Sequence, residues 1–531
     1  MKNLLKNLAL VALILVIAAP LFVSCKEKAS TNKVTTIELW YGAAASEAGP
    51  PPADWVADGI IRDKLGIDLK LSALPSSEND QDQKIGAAAA ANALPDLFMV
   101  SDKTFLLLAN QGVLADVTNM FSLMPHRTAL LYDKDAQDNS RVNGKIYGLS
   151  QAGSIDKNEG VLIRKDWLDK LGLKVPVTTD DFYNVMVAFT KNDPDGNGKD
   201  DTYGFGAYLE TGAANEGLGK RFDPLMGAFG VAGTWNMTVA DAGLNVKKPA
   251  YYDALEYIKK CIDAGVVDPN WSSYKKDDFR AAWKQGKFGI MREQNAAYAS
   301  EANYAPFDKN FPDGEWLVID PPRGPSGQAS AGTYASSYRR YCVSASAAAE
   351  KGKIEKIAAL LEWMSSDEGY YLLGYGVEGE NYIFEDTDVD GKIMKVPSVN
   401  GLPDASKAYT RPEMIPLTQL RNLVYYNGDA ELASRYPTYK TATSGKTMSA
   451  LVALRQMQSK PWTANNGVSK LPQPNADVER YYNQGVQEFM TGKRVLNKEN
   501  WNAFLSEFGK VGGDAWEADG IAKAKEENLL K

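Results

Sequence analysis

Histidine occurs once in the 531 residues, as His126. That scarcity excludes multi-histidine zinc sites and leaves a Ser-His-Asp triad resting on one residue. Cysteine occurs three times, at positions 25, 261 and 342. Cys261 falls in a helix-like stretch and Cys342 in a strand-like one, each among apolar neighbours. Outside the cytoplasm the two could pair; the plainer reading is two small buried thiols. A basic excess is also missing. Against 59 Lys and Arg stand 67 Asp and Glu, for a net charge of -8, which argues against a nucleic-acid binder. The apolar run Leu8 to Val23 falls short of the ~20 residues a comfortable membrane-spanning helix needs. There is no internal repeat and no low-complexity linker long enough to separate independent domains.

What is present is ordinary globular chain, 44% hydrophobic and 24% charged. Its length exceeds what one core usually holds and indicates two or more domains. The N-terminus, Met1-Lys2-Asn3-Leu4-Leu5-Lys6 before the apolar run, reads as a secretory signal over residues 1–24. Leu21-Phe22-Val23-Ser24-Cys25 resembles a bacterial lipobox, which implies cleavage before Cys25 and lipid attachment to it. The polar residues 25–33 then serve as a tether. The expected location is the extracytoplasmic face of the cell membrane, held there by the lipid rather than by a basic patch.

From Lys33 onward strands and helices alternate. Val34 to Tyr41, Ile67 to Leu74 and Asp96 to Val100 read as strands, and Asp54 to Leu65 and Asn79 to Ala91 as helices. Such alternation predicts an α/β fold with a mainly parallel sheet covered on both faces. Ligands of such sheets sit beyond the carboxyl ends of the strands, which directs attention to Trp40-Tyr41-Gly42 and Ser101-Asp102-Lys103. Further on, Phe182, Val185, Met186 and Phe189 recur at helical spacing after Thr178 and Thr179. Tyr251, Leu255, Ile258 and Ile262 form a second stripe, and Ile354, Ile357, Leu361 and Met364 a third. Phe279 and Trp283, four apart, read as core.

Directly after the Phe182–Phe189 helix stands Asp193-Pro194-Asp195-Gly196-Asn197-Gly198-Lys199-Asp200-Asp201. It matches the first half of an EF-hand loop, with oxygen donors at positions one, three and five before a turn-forming glycine. Asp193, Asp195, Asn197, the Lys199 carbonyl and Asp201 are the candidate ligands of one structural calcium ion. Position twelve is Gly204 instead of the bidentate glutamate. The alternative is an Asp/Gly turn without metal.

Several motifs follow one another in a familiar order: Ala93-Leu94-Pro95-Asp96-Leu97, Asn143-Gly144-Lys145-Ile146-Tyr147-Gly148-Leu149, Arg164-Lys165-Asp166-Trp167-Leu168, the Asp193 loop, Pro321-Pro322-Arg323-Gly324-Pro325 and Gly374-Tyr375-Gly376-Val377-Glu378-Gly379-Glu380-Asn381-Tyr382. Over nearly the whole mature chain this order resembles the large extracellular solute-binding lipoproteins of ABC importers, the group that includes alginate-binding proteins. The resemblance implies a two-lobed periplasmic-binding-protein fold, with a ligand cleft between the lobes and several crossings. One lobe would comprise 34–152 plus 320–385, the other 153–319 plus 386–531, with crossings near Gln151 to Gly153, near Asp320 and after Tyr382. It implies that Asp102 and Lys103 contact sugar hydroxyls, that Arg292 and Gln294 follow the strand Phe288 to Met291 into the cleft, and that Gln151 and Glu378 border it. The alginate-binding proteins carry an acidic residue where this chain has Thr202.

Independently of that resemblance, 11 tryptophans and 26 tyrosines suit sugar, since flat rings with polar tips serve mixed surfaces. Trp40, Trp235, Trp271 and Tyr375 lie outside helical core stripes. Trp235 and Trp271, in Gly- and Ser-rich connections where binding residues collect, are the foremost stacking candidates. Arg292 could fork onto a carboxylate of an acidic ligand. The expected function is a monomeric, lipid-anchored binding protein, without enzymatic activity, that delivers an oligosaccharide to ABC permease subunits. A secreted carbohydrate-active enzyme and a sensory or adhesion lipoprotein are the alternatives.

Overall fold

The computed structural model describes residues 34–42, 55–75, 77–132, 134–152, 157–212, 215–335, 337–389, 392–408, 423, 433, 436–465, 467–527 and 529–530. The signal segment, Cys25 and the tether lie outside the described residues. In chain order the strands that matter here are β1 (Thr35–Gly42), β2 (Ile67–Leu74), β3 (Leu97–Val100), β4 (Leu149–Ala152), β5 (Glu159–Arg164), β6 (Tyr203–Gly206), β7 (Phe288–Gln294), β8 (Trp316–Ile319), β9 (Thr333–Tyr334), β10 (Ser337–Val343) and β11 (Thr463–Ala464). The helices are α1 (Val56–Leu65), α2 (Glu78–Ala90), α3 (Asp102–Gln111), α4 (Thr179–Lys191), α5 (Pro249–Asp263), α6 (Lys353–Met364), α7 (Asp367–Tyr375), α8 (Ala476–Thr491), α9 (Lys498–Phe508) and α10 (Asp514–Glu526).

Two sheets organise two lobes. The first runs β2-β1-β3-β10-β4, the second β8-β5-β7-β6; both are mixed and not mainly parallel as expected, since β10 pairs antiparallel with β3 and β4, and β5 antiparallel with β7 and β8. In β1 the alternation of Thr, Ile, Glu, Leu, Trp and Tyr buries Ile37, Leu39 and Tyr41 on one face. β1 pairs in parallel with β2 from Thr35↔Ile67 onward. The return between them is α1, which ends at Gly66 in the left-handed region (φ 64°), where glycine carries no steric penalty. The second sheet is read from continuous burial instead. β5 is buried at all six positions and β7 at six of its seven, as expected of inner strands covered on both faces. These strands keep their charges at their ends: Glu159 and Arg164 on β5, Arg292 and Glu293 on β7. Antiparallel pairing sets Glu159 opposite Gln294 and Val161 opposite Arg292, so several charges gather at one edge of the sheet.

The chain leaves the first sheet at Ala152 and enters the second at Glu159. It leaves the second at Ile319 and rejoins the first at Ser337. The first core joins Ile37, Leu39 and Leu97 to α6 and α7. The second joins Phe182, Val185, Met186 and Phe189 of α4 to α5 and to the C-terminal α8, α9 and α10. A capping box starts α4: Asp181 N donates to Thr178 Oγ1 at 3.1 Å, and Thr178 N to Asp181 Oδ2 at 2.9 Å.

One position departs from the lobe ranges expected from sequence. Leu423, beyond residue 386, packs in the first core, and its carbonyl accepts from Arg127 Nη2 at 2.6 Å. A buried guanidinium needs acceptors wherever the chain can bring them. Cys261 and Cys342 are both free and buried, and burial pushes each thiol up to about 12. They are the small buried thiols of the plainer reading.

Candidate ligand site at the crossings between the lobes

Where the chain enters the second sheet, Glu159 meets three cations. Its carboxylate lies 3.3 Å from Arg221 Nη2, 3.3 Å from Arg292 Nη1 and 3.6 Å from Lys220 Nζ. Arg221 also holds Glu210 at 2.9 Å and Glu293 at 3.6 Å, and Glu293 takes Arg280 at 3.1 Å. Arg292 reaches Asp223 at 3.7 Å. Burial opposes ionisation of Glu159, yet Arg221, Lys220 and Arg292 outweigh it and hold the carboxyl well below the usual carboxylate range. Burial likewise opposes ionisation of Glu210, and Arg221 and Lys220 again prevail. Asp223 differs: burial, only partly offset by Arg292, pushes it up to about 6. Most of the network is sealed, but the Lys220 and Glu210 side chains stay 36% and 29% exposed, so one side of it faces solvent.

Aromatic rings stand over that network. Trp462 and Tyr334 meet edge to face at 6.5 Å, in β9 and just before β11, which pair in parallel. Arg292 lies 5.8 Å from the Trp462 ring and Lys157 Nζ 4.2 Å from that of Tyr334. Lys157 and Tyr334 belong to the two crossings between the sheets. All three side chains are half-buried, and the Trp462 indole is fixed by donating from Nε1 to the Met457 carbonyl at 2.9 Å. Two aromatic edges above a charged bed, at the hinge of two lobes, form a surface that can stack a flat apolar face and hydrogen-bond polar groups. Sequence reasoning missed Trp462 and Tyr334. The only local hint is that neither lies on a helical stripe.

The residues expected at the cleft fare unequally. Trp40, near the end of β1, is half-buried, its Nε1 donating to Glu38 Oε1 at 2.7 Å and its ring under Lys84 Nζ at 4.3 Å. Tyr41 alternates to the opposite face and is buried in the first core. Asp102 is committed to Arg340 Nη1 at 2.5 Å. Lys103 reaches across the lobes to Glu479 Oε2 of α8 at 3.6 Å. Gln151 pairs in the first sheet with Tyr338, next to the crossing; its side chain lies outside what is described. Gln294 closes β7 half-buried. Glu378 is exposed, in a backbone bridge with Tyr382.

Four expectations are corrected. Trp235 is 6% exposed and meets Trp516 edge to face at 5.5 Å, with Gly520 of α10 against its ring. Trp271 is 3% exposed and meets Phe222 edge to face at 5.5 Å. Both fill the second core and present no face to a ligand. Tyr375 is fully buried among Tyr370, Tyr371 and Tyr382. Arg292 does not wait for an acidic ligand. It is 3% exposed, donates to the Lys220 carbonyl, and is covered by Gly332, where any Cβ would collide with the guanidinium.

Along the border of the lobes lies a cavity of about 810 Å³, lined by Phe105, Leu107 and Pro472 with Lys103, Arg141 and Lys523 around them. Nearby, Glu216 is buried with Oε2 unpartnered. Burial, with Glu479 adding to it, pushes its carboxyl up to about 7.

The Asp193 loop is ordered around its own side chains. Asp193 Oδ1 accepts from the backbone N–H of Gly196 and Asn197, and Oδ2 from Gly198, each at 3.0 Å. The Asn197 amide donates to Asp195 at 2.9 Å and to Asp201 at 3.0 Å. Three carboxylates and an amide therefore converge on one turn, a donor set that suits a hard cation. Their closeness shows in Asp195, whose pKa is raised by burial and by Asp193 and Asp201. Among the described residues no group of three His, Cys, Asp or Glu side chains stands at metal-binding spacing. Thr202 turns away, its hydroxyl donating to the Phe189 carbonyl at 2.8 Å.

Residues 60–371 match the profile of the bacterial extracellular solute-binding proteins. Lipoprotein LipO of Bacillus subtilis is 26% identical over 70% of this chain and 73% of its own length. The polygalacturonan/rhamnogalacturonan-binding protein YtcQ of the same organism is 25% identical over 62% and 64%. Among solved structures, the Streptococcus pneumoniae substrate-binding protein FusA in complex with kestose superposes with a TM-score of 0.66 at 18% identity, covering 94% of this chain and 100% of that one. Alginate-binding protein AlgQ2 without calcium ion gives 0.64 at 16%, covering 93% and 99%.

Two outcomes follow from these placements. Trp235→Ala and Trp271→Ala should each lower unfolding stability by about 3–5 kcal/mol, the cost of emptying a buried indole site, measured by urea denaturation; the folded fraction should bind ligand as the parent does. Glu216 holds its proton more tightly folded than unfolded, so its contribution is present at low pH and is lost as pH rises from about 4.5 through about 7. Glu216→Gln should therefore change stability by less than about 1 kcal/mol at pH 5 and raise it at pH 8 by about 3 kcal/mol, read from the same denaturation series at both pH values.

Proposed function

We propose that this chain, which belongs to the bacterial extracellular solute-binding proteins, captures an oligosaccharide at the crossings between its lobes and hands it to the permease of an ABC importer. The observation that carries the reading is the Trp462–Tyr334 pair above the Glu159 network. Pyranose and furanose rings offer C–H faces to aromatic planes, and their hydroxyls find donors and acceptors in Lys220, Glu210 and Lys157. The relative FusA is named a fructooligosaccharide ABC transporter substrate-binding protein, and YtcQ a polygalacturonan/rhamnogalacturonan-binding protein.

A glycosidase reading fares worse on physical grounds. General acid catalysis needs a carboxyl kept protonated near neutral pH beside an ionised partner. Glu159 and Glu210, the carboxylates nearest the open side, are both held ionised by the cations beside them. Asp223 and Glu216, which do rise, are both buried, and Asp223 accepts from Asn215 Nδ2 at 2.7 Å. Membrane attachment through a lipid on Cys25 belongs to the same proposal. Among the described residues no helix is long and apolar enough to cross a membrane.

Calcium is the proposed structural ion of the Asp193 loop, held by Asp193, Asp195, Asn197, the Lys199 carbonyl and Asp201. Its chemistry there is charge neutralisation: it would take over from the neutral Asn197 amide, which now donates to both Asp195 and Asp201. Two neighbours in fold, an EF-hand mutant of FusA and AlgQ2 without calcium ion, point the same way.

A thermal-shift screen of saccharides tests the binding reading, because a ligand of the native state raises apparent stability by mass action. The best saccharide should be recovered intact; steady product formation would sink the proposal. Against that saccharide, Trp462→Ala should lose about 1–3 kcal/mol of affinity by titration calorimetry while its circular dichroism matches the parent. In a calcium-depleted sample the melting temperature should fall and return on adding calcium, and Asp195→Ala should abolish that return while changing saccharide affinity less than about twofold.

A further inference from the structure

Binding proteins with a cleft of this kind must distinguish neutral sugars from uronates, and charge bookkeeping at the site decides which is admitted. A carboxylated sugar needs a cation that the protein has left unneutralised, because a guanidinium already saturated by carboxylates repels a further one. Arg221 spends four of its five donors within the network, and its Nη1 also faces Glu293 at 3.6 Å. Its Nε serves Glu210 at 2.9 Å, its Nη1 the Arg292 carbonyl at 2.9 Å, and its Nη2 Glu159 at 3.3 Å and Tyr208 at 3.1 Å. Arg292 is held between Glu159 and Asp223 and roofed by Gly332. Lys220, the most open cation of the group, lies 3.2 Å from Glu210 and 3.6 Å from Glu159. Arg280 is taken by Glu293. Lys220, Arg221, Arg280 and Arg292 thus face Glu159, Glu210, Asp223 and Glu293, charge for charge.

The same holds along the neighbouring cavity. Lys103 is paired with Glu479, Arg141 with Asp138, Lys470 with Glu527 and Lys523 with both Glu526 and Glu527. On the first lobe Arg340 is matched by Asp102. Among the described residues two further lysines rest on rings instead: Lys84 on Trp40 and Lys157 on Tyr334. They stand singly, each on a flexible stem, and neither offers the rigid two-donor fork that recognises a carboxylate geometrically.

We infer that the site is built for an uncharged oligosaccharide and discriminates against uronate-containing ones, a specificity that rests on the saccharide reading above. The carboxylates that neutralise the cations do a second job. Glu210 and the exposed side of Lys220 form a zwitterionic bed that hydrogen-bonds hydroxyls in either direction without attracting net charge.

The test uses the purified full-length chain in detergent and two matched probe sets: neutral oligomers (fructo-, malto-, xylo- and manno-oligosaccharides) and uronate oligomers (galacturonate, mannuronate and guluronate), each from three to six units. Native mass spectrometry identifies binders, and calorimetry at low and high sodium chloride measures them. The expected result is retention of neutral oligomers only, at least about 100-fold tighter than any uronate, with an affinity that salt changes less than about twofold, since no net charge is screened. Retention of a uronate oligomer as tightly as any neutral one, with affinity falling steeply in salt, would overturn the inference and leave the saccharide reading standing. Retention of no oligomer from either set would overturn the saccharide reading and this inference with it.

Discussion

The Glu159 carboxylate is the point on which the second lobe and its ligand surface both depend. It opens β5 immediately after the crossing from the first sheet, so the chain must pay for a buried charge where the lobes meet. Arg221 and Arg292 approach from outside that strand, one from the turn after Gly219 and one from the end of β7. A buried carboxylate stripped of its cations would be several kcal/mol too costly to keep. The three residues therefore hold three chain segments in one geometry. The aromatic pair above them inherits that geometry through the β9–β11 pairing.

This arrangement separates what moves from what recognises. The two crossings, 153–158 and 320–336, lie between sheets that each have their own core. Lys157 and Tyr334 are carried on those crossings, whereas Trp462, Arg292 and Glu159 belong to the second lobe. A ligand stacked on both rings would touch the lobe and its hinge together. Across the cleft, Lys103 already reaches Glu479, a weak and partly exposed pair of the kind that adds little stability by itself. A ligand bound across this border adds contacts to both lobes at once.

The Asp193 loop is a separate constraint within one lobe. It begins where α4 stops, with Asp193 at φ 44°, and its carboxylates are gathered by backbone N–H groups and by the Asn197 amide. The loop positions β6 against α4 through Thr202 and through Thr190, whose hydroxyl accepts from Gly204 N at 2.9 Å. It lies on the α4 side of the lobe, so its chemistry and that of the cleft are argued from different residues.

Local pattern alone was enough for the strands and helices between residues 34 and 100, the apolar stripes of α4, α5 and α6, the turn that follows α4 and the buried character of Cys261 and Cys342. Each depends on neighbours within a few positions, where period and capping residues carry the information. The ordered motifs also carried the two-lobed family fold. The ligand surface was not legible in the same way. Trp235 sits in a loop that reads as exposed, yet Trp516 and Gly520, some 280 positions later, fold over it. Arg292 ends a strand at the cleft, yet Glu159, Asp223 and Gly332 from three other segments enclose it. Trp462 and Tyr334 become neighbours only because β9 pairs with β11 across 130 residues of chain. Local sequence determines which elements form, since propensity and periodicity act over one or two turns. Which faces are covered was decided only when distant segments packed, because burial is a property of the partner and not of the residue.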